Sequence, residues 1–339
     1  MSKPYVSMYT IPYTSSVHIR WTEILESHAE VLFALLEQIK TESSEIPRLL
    51  KTSAGWLLHL IYRYSGGLYY DEMQYIAYKT KQSVSSIVAV NCSYELSHLY
   101  GGFKPLGCTA GVTRHEKHGN IHVRNMDWPW SCIADATIVV RSKTPTHDYV
   151  SVTVPGMVGA LSGMVPGAYS VTLNWAPSSG VYVGWSPLML LRHTLETCKT
   201  YEEAKQLLST SRTSSSVFYM LNGVDKACVI ERTPKTYVVR NQQKERLVVA
   251  NHYAASAMRE HNAYIHAKNK EGASVYTCSH HRYTELYRNL DSTHTVTQLR
   301  SALNQYPVKN DDTRQQMLMI PKEGMLEVWN AVYRRTLVL

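Results

Sequence analysis

The apolar periodicity of this 339-residue chain changes character once, at "YGGFKPLG", and that change constrains the fold more than any other feature. Before it, apolar residues recur at helical spacing: Ile24, Leu25, Val31, Leu32, Leu35, Leu36 and Ile39 line one face of a helix of about five turns. Residues 46–64, 69–80 and 83–99 repeat the pattern between Ser/Gly breaks. After it, short alternating runs bounded by turn residues predict strands at 108–115, 120–127, 136–142, 149–155 and 168–175. Two helical runs follow, at 187–198 and 201–210, and then strands at 216–221, 226–232, 236–241 and 246–251. Helices at 282–290 and 295–303 precede a closing strand pair, 315–321 and 325–331. Strands in runs and helices in runs predict an α+β domain, with sheet packed on sheet and helices outside, behind a helical prologue.

Charge is unevenly placed. Residues 1–107 hold nine Lys/Arg and nine Asp/Glu, so the whole formal excess of +8 lies from Cys108 onward. No run of five like charges and no basic stripe interleaved with aromatics occurs, which argues against a nucleic-acid partner. A basic face toward anionic lipid fits better. The aromatic segment "GWLLHLIYRYSGGLYY", 55–70, reads either as a peripheral membrane contact or as a buried helix. The opening "MSKPYVSMYTIPY" lacks the layout of a secretory leader, so a cytoplasmic or otherwise intracellular protein is expected.

Six cysteines are scattered without paired spacing, which predicts neither a disulfide framework nor a zinc site. Cys132, Cys198, Cys228 and Cys278 read as small core fillers. The sequon Asn91-Cys92-Ser93 falls within a helical pattern and is read as chance. His115, His118 and His122 crowd one hairpin but lack H-E-x-x-H spacing, so solvated imidazoles are expected rather than a metal.

Cys108 is different, because glycine precedes it at the texture change. Cleavage at that bond would give one residue both a thiol and an α-amine titrating near neutrality, a nucleophile with its own base. Gly107 leaves its carbonyl open to the neighbouring sulfur and tolerates a strained turn. Arg124 and Asp127 lie on the strand that a hairpin through His118-Gly119-Asn120 would return toward Cys108. A guanidinium there favours thiolate and a carboxylate orients an ammonium. An Arg and an Asp three apart also fit a surface ion pair.

"GCTAGVTRHEKHGNIHVRNMDW", 107–128, resembles the start of the catalytic chain in the acid ceramidase and N-acylethanolamine-hydrolysing acid amidase family of N-terminal-nucleophile (Ntn) hydrolases, relatives of choloylglycine hydrolase and penicillin V acylase. In that family Arg and Asp follow the cysteine by sixteen and nineteen residues, as Arg124 and Asp127 do here. "GMVGALSGMVPGAYSVTLNW", "SSIVAVNCSYEL", "PYVSMYTIPYTSSVHIRW" and "LVVANHY" extend the similarity in order along nearly the whole chain.

The resemblance implies an αββα sandwich of two antiparallel sheets. It also implies a zymogen cut autocatalytically between Gly107 and Cys108 into a helical pro-segment, 1–107, and a catalytic domain, 108–339; the apolar faces of the pro-segment helices predict that the two stay associated. Cys108 would be nucleophile and base, tuned by Arg124 and Asp127. Asn251 would turn its amide on the oxyanion, Asn174 would sit at the second oxyanion position, and Arg282 would be the last active-site arginine, although Arg259 lies nearer Asn251 in sequence. Met126, Trp128, Met164 and Trp175 would wall a hydrophobic acyl-amide substrate. Trp175 stands where the lysosomal amidases have Glu. No metal or organic cofactor is implied. The expected reaction is hydrolysis of an N-acyl lipid amide through a thioester. The alternatives are acyl transfer, bile-salt or penicillin acylase-like hydrolysis, and a lipid-binding homologue without activity.

Overall fold

A computed structural model describes residues 6–14, 16–42, 69–99, 107–128, 136–264, 275–330 and 334–339. Most of the 55–70 segment and Cys132 lie outside them. The chain opens with strand β1 (Ser7–Ile11), helix α1 (Val17–Glu42), helix α2 (Tyr70–Thr80) and the short helices α3 (Val84–Asn91) and α4 (Ser93–Leu99). Strands β2 (Gly107–His115) and β3 (Gly119–Asp127) then form the hairpin expected from the sequence. Its three-residue turn ends at Gly119, whose φ of 71° is open to glycine at little cost.

Strands β4 (Ile138–Lys143), β5 (Asp148–Thr153), β6 (Ser162–Val165) and β7 (Tyr169–Trp175) lead to helices α5 (Pro187–Thr197) and α6 (Tyr201–Thr210). Next come β8 (Val217–Gly223), β9 (Ala227–Arg232), β10 (Tyr237–Asn241) and β11 (Arg246–Val249), a 3-10 stretch (Ser256–Tyr264), and helices α7 (Val275–Asn289) and α8 (Val296–Leu303). Strands β12 (Thr313–Ile320), β13 (Met325–Trp329) and β14 (Arg334–Val338) close the chain. Capping boxes at Thr200 and Thr295 satisfy the first turns of α6 and α8, which is why those helices start where they do.

Two sheets result, one ordered β1-β4-β5-β6-β7-β8-β9-β10 and the other β11-β2-β3-β12-β13-β14. All pairings are antiparallel except β1 with β4. The sheets face each other across Val112, Phe218, Met220, Val229 and Val249 on one side and Val139, Val152, Met164, Met317 and Met319 on the other. Helices α7 and α8 cover the outer face of the six-stranded sheet through Leu286, Leu290, Leu299 and Leu303. Helices α5 and α6 cover the eight-stranded sheet, and the helices ahead of Cys108 join that same cluster. The architecture is the αββα sandwich expected, and the opening stretch is a strand, as the resemblance implied, joining the edge of the eight-stranded sheet beside β4.

That segment is also tied down by polar groups. The buried Glu72 carboxylate takes two bonds from Arg192, at 2.7 and 2.8 Å, and one from the Trp21 indole at 2.6 Å. Asn91, wholly buried, donates to Gly156 O and accepts from Val158 N, which removes the sequon from solvent. Among the described residues no helix is long and apolar enough to cross a membrane.

Candidate active site

Register places the chemistry. Antiparallel pairing sets Gly107 opposite Asp127, Cys108 opposite Met126 and Ala110 opposite Arg124. Alternation then sends Arg124 and the Cys108 side chain to the inter-sheet face, and Thr109 and Asp127 to the face under α7. Sulfur and main chain of one residue are thus served from opposite sides of one sheet.

On the inner side, Arg124 Nη2 donates to Cys108 Sγ at 3.2 Å and to Leu173 O at 2.7 Å, while Nη1 reaches Leu161 O and Ser162 Oγ. The guanidinium is fully buried, and none of these partners is a carboxylate. The sulfur is the one partner able to become an anion, so a thiolate here gains a charge-assisted bond. The Tyr94 side chain, from α4, is buried beside the same sulfur. Burial, and then the neighbouring Cys108, push its phenol pKa well up, so Tyr94 remains a protonated donor.

On the other side, Asn251 Oδ1 accepts from Cys108 N at 3.0 Å and from Arg282 Nη2 at 2.8 Å. Two donors facing one atom identify it as the oxygen. Asn251 Nδ2 therefore points the other way, to Trp175 O at 2.7 Å. Arg282 Nη1 knits the group together, reaching Cys108 O and Thr109 Oγ1 at 2.8 Å and Asp127 Oδ2 at 3.3 Å. The other Asp127 oxygen accepts from Thr313 Oγ1 at 2.7 Å. A register shift between Thr313 and Gln315 accompanies that placement.

Gly107 proves extended rather than strained. Its value is space: a Cβ there would lie 3.0 Å from Asp127 Cβ and 3.2 Å from Oδ2, so glycine lets the carboxylate lie along the 107–108 peptide. Asn251 is held from behind as well. Its main-chain N–H goes to Ser279 Oγ at 2.7 Å, and Ser279 lies 2.8 Å from His252 Nδ1. Burial, reinforced by His280, Arg240 and Arg282, pushes His252 down to about 3, leaving a neutral ring with an acceptor nitrogen. Ser279 and Arg282 stand one turn apart on α7, so a single helix grips Asn251 at both ends.

Six residues singled out from sequence thus take defined places. Cys108, Arg124, Asp127, Asn251 and Arg282 form one bonded group, and Arg282 rather than the exposed Arg259 meets Asn251. Asn174 stands beside them as a strut, its Nδ2 donating to Ala250 O at 3.0 Å. Met126, Trp128 and Trp175 share an apolar cluster with Cys108. Met164 is not brought to that group; it packs with Met317 and Met319 between the sheets.

His122 corrects the expectation of solvated hairpin histidines. It is buried between Ser170 and Thr172, and burial followed by the Arg124 charge pushes its pKa to about 3. Cys198 and Cys228 are buried as expected, while Cys278 is only half-buried. Thr109, Ser162, Ser279, Thr313 and Tyr94 were not visible as site residues; only Ser279, three before Arg282, carried a positional signal. Among the described residues no three His, Cys, Asp or Glu side chains converge on a metal position.

A family described as acyl-coenzyme A:6-aminopenicillanic acid acyl-transferase matches residues 114–317, more than half of the chain. The chain belongs to that family. With it come the Ntn hydrolases that the cysteine hairpin resembles. The match contains Arg124, Asp127, Asn174, Asn251 and Arg282 and begins just after Cys108. Among curated relatives, an N-acylethanolamine-hydrolyzing acid amidase of Caenorhabditis elegans is 29% identical over 226 residues, 61% of this chain and 61% of that protein. Acid ceramidase of Homo sapiens is 27% identical over 263 residues, 68% of this chain and 64% of its own length. This family member therefore spans somewhat under two thirds of the relatives it matches. A solved structure of the Caenorhabditis elegans N-acylethanolamine-hydrolyzing acid amidase ortholog aligns over 68% of this chain and 100% of that one, at TM-score 0.50 and 23% identity, a likeness of fold.

Proposed function

We propose that this chain is a cysteine N-terminal-nucleophile amidohydrolase acting on N-acyl amides with a hydrophobic acyl chain, of the ceramide or N-acylethanolamine type. The observation that carries the reading is the double hold on Cys108: a buried guanidinium 3.2 Å from its sulfur and the Asn251 oxygen 3.0 Å from its nitrogen. Each atom the chemistry needs has its own partner.

Maturation would begin with Cys108 Sγ attacking the Gly107 carbonyl carbon. The C–N bond breaks, the nitrogen takes a proton to become the α-amine, and water hydrolyses the thioester to leave a Gly107 carboxylate. The freed amine then accepts the thiol proton as sulfur attacks a substrate amide, and returns it to the departing amine. Water resolves the acyl thioester by the same route. Asp127 and the Asn251 oxygen flank the ammonium, while Arg124 and Tyr94 stabilise the sulfur. Fragments 1–107 and 108–339 remain together through β1, Glu72 and Asn91.

Intact mass of wild type and Cys108→Ala after incubation from pH 4 to 8 tests this. Expected is a wild type split at 107/108, a whole mutant, and turnover of acyl amides by the split form alone. A wild type that turns over no acyl amide once split would sink it. The family's acyl-transferase name favours acyl transfer as a second reading. An added amine that diverts the thioester to a new amide, at the expense of free acid, would establish it.

A further inference from the structure

The Trp175 side chain is held from the segment ahead of the cleavage bond. Its indole Nε1 donates to Ser97 Oγ at 3.0 Å, and its ring stacks on His98 with centroids 5.0 Å apart and planes 18° off parallel. The Ser97 hydroxyl passes its own proton to Tyr94 O at 2.6 Å, so its direction is fixed and it faces the indole as an acceptor. The His98 ring is neutral, because burial pushes it down to about 3. The main chain of Trp175 leads into the site, where its carbonyl takes Asn251 Nδ2 at 2.7 Å and Asn251 Oδ1 takes Cys108 N at 3.0 Å.

Trp175 is the last residue of β7, and the chain beyond it leaves the ladder. A residue at a strand end has ladder support on one side only, so the gripped ring fixes where its carbonyl stands. A displacement of about 1 Å at a reacting group costs roughly a hundredfold in rate.

We propose that Ser97 and His98 are positioning residues of the active site, acting through Trp175 on Asn251 and hence on the Cys108 nitrogen. The proposal rests on the amidohydrolase reading above. It makes fragment 1–107 a working part of the matured enzyme, because two groups that set the nucleophile lie on it.

The test uses the full chain as wild type, Ser97→Ala, His98→Ala and His98→Phe, matured and then assayed on a lauroyl aminocoumarin amide. Hydrogen–deuterium exchange is followed at 174–177 and 250–253. Expected for His98→Ala and Ser97→Ala is cleavage as in wild type, kcat lower by about tenfold or more with KM within about twofold, and faster exchange at both segments. His98→Phe keeps a flat ring on the indole and stays within about threefold of wild type. His98→Ala that turns over like wild type, or His98→Phe as impaired as His98→Ala, overturns the proposal. A wild type that neither splits nor turns over sinks the amidohydrolase reading instead. Exchange still decides in that case: faster exchange in His98→Ala but not His98→Phe upholds the coupling, and unchanged exchange in both ends it.

Discussion

Asn251 shows how much of the site depends on one side chain facing the right way. Its oxygen holds the Cys108 nitrogen and its amide nitrogen holds Trp175, so a half-turn of the group would break both bonds. Arg282 opposes that half-turn from the Oδ1 side, and Ser279 anchors the main chain from which the side chain departs. Ser279→Ala leaves the buried Asn251 N–H without its acceptor, a loss of about 1–3 kcal/mol, which corresponds to kcat falling roughly fivefold to 150-fold where the whole loss is felt at the transition state. KM should change little, since Ser279 is wholly buried behind Asn251, and Ser279→Thr should restore most of the rate. Steady-state kinetics of the three forms decide it; a KM effect without a kcat effect would place Ser279 in substrate binding. Arg124→Lys should be more severe, because an ammonium cannot reach Leu173 O, Ser162 Oγ and the sulfur together. Its self-cleavage, followed by mass, should slow at least about tenfold, and wild-type cleavage would show that the sulfur does not need the fork. Arg124, Asp127 and Cys108 were readable because a hairpin fixes which residues of two strands meet. Thr313 was not, since its meeting with Asp127 depends on a strand 186 residues later in sequence.

At the scale of elements, the joint between the α2 helix and α5 carries the most charge. Glu72 and Arg192 form a buried two-pronged pair that also collects Trp21 and, at 3.4 Å, Arg20. Glu72→Ala would leave the Arg192 cation buried with one carboxylate fewer, a loss of about 3–5 kcal/mol for a buried pair broken on one side. Native mass spectrometry after maturation should show wild-type fragments as one particle and Glu72→Ala fragments coming apart at lower denaturant. Equal midpoints would mean that β1 and the apolar helix faces hold the fragments alone. The periodicities of the sequence carried nearly every element here, including α5, α6 and the β8–β11 run, because half-buried strands and amphipathic helices write their exposure into the residue order. β14 was not legible. Arg334 and Arg335 break the apolar alternation; the strand is set by its antiparallel ladder with β13, where Glu327, fully buried, also takes an ion pair from Arg334. The start of α7 was missed for a related reason: "VYTCSHH" has no apolar stripe, and its contributions are polar, through Ser279 and Arg282.

Over the whole molecule, the interior sets how the fold meets acid. His98, His122 and His252 are each pushed down to about 3, by burial first in every case, from an ordinary value near 6.5. Between those limits the unfolded chain binds protons that the folded chain refuses, so stability present above about pH 6.5 is lost as pH falls. Glu95 works against them: burial raises its carboxyl pKa despite the Ser214 hydrogen bond, so the folded chain holds a proton there that the unfolded chain releases above about 4.5. Three histidines against one carboxyl leave a net loss of stability on acidification, and Glu196, whose carboxyl, despite burial, Arg192 holds below its ordinary value, adds to it. His122 is the cleanest probe, being fully buried between the sheets. His122→Gln keeps a hydrogen-bonding side chain and removes the titration. Urea unfolding at pH 7.5, 6 and 5 should therefore show wild type losing stability faster than the variant, the slopes differing by roughly 1 kcal/mol per pH unit between pH 6 and 5 and by less above pH 6. Parallel slopes would mean that His122 takes up its proton in the folded state, and that the space between Ser170 and Thr172 admits water.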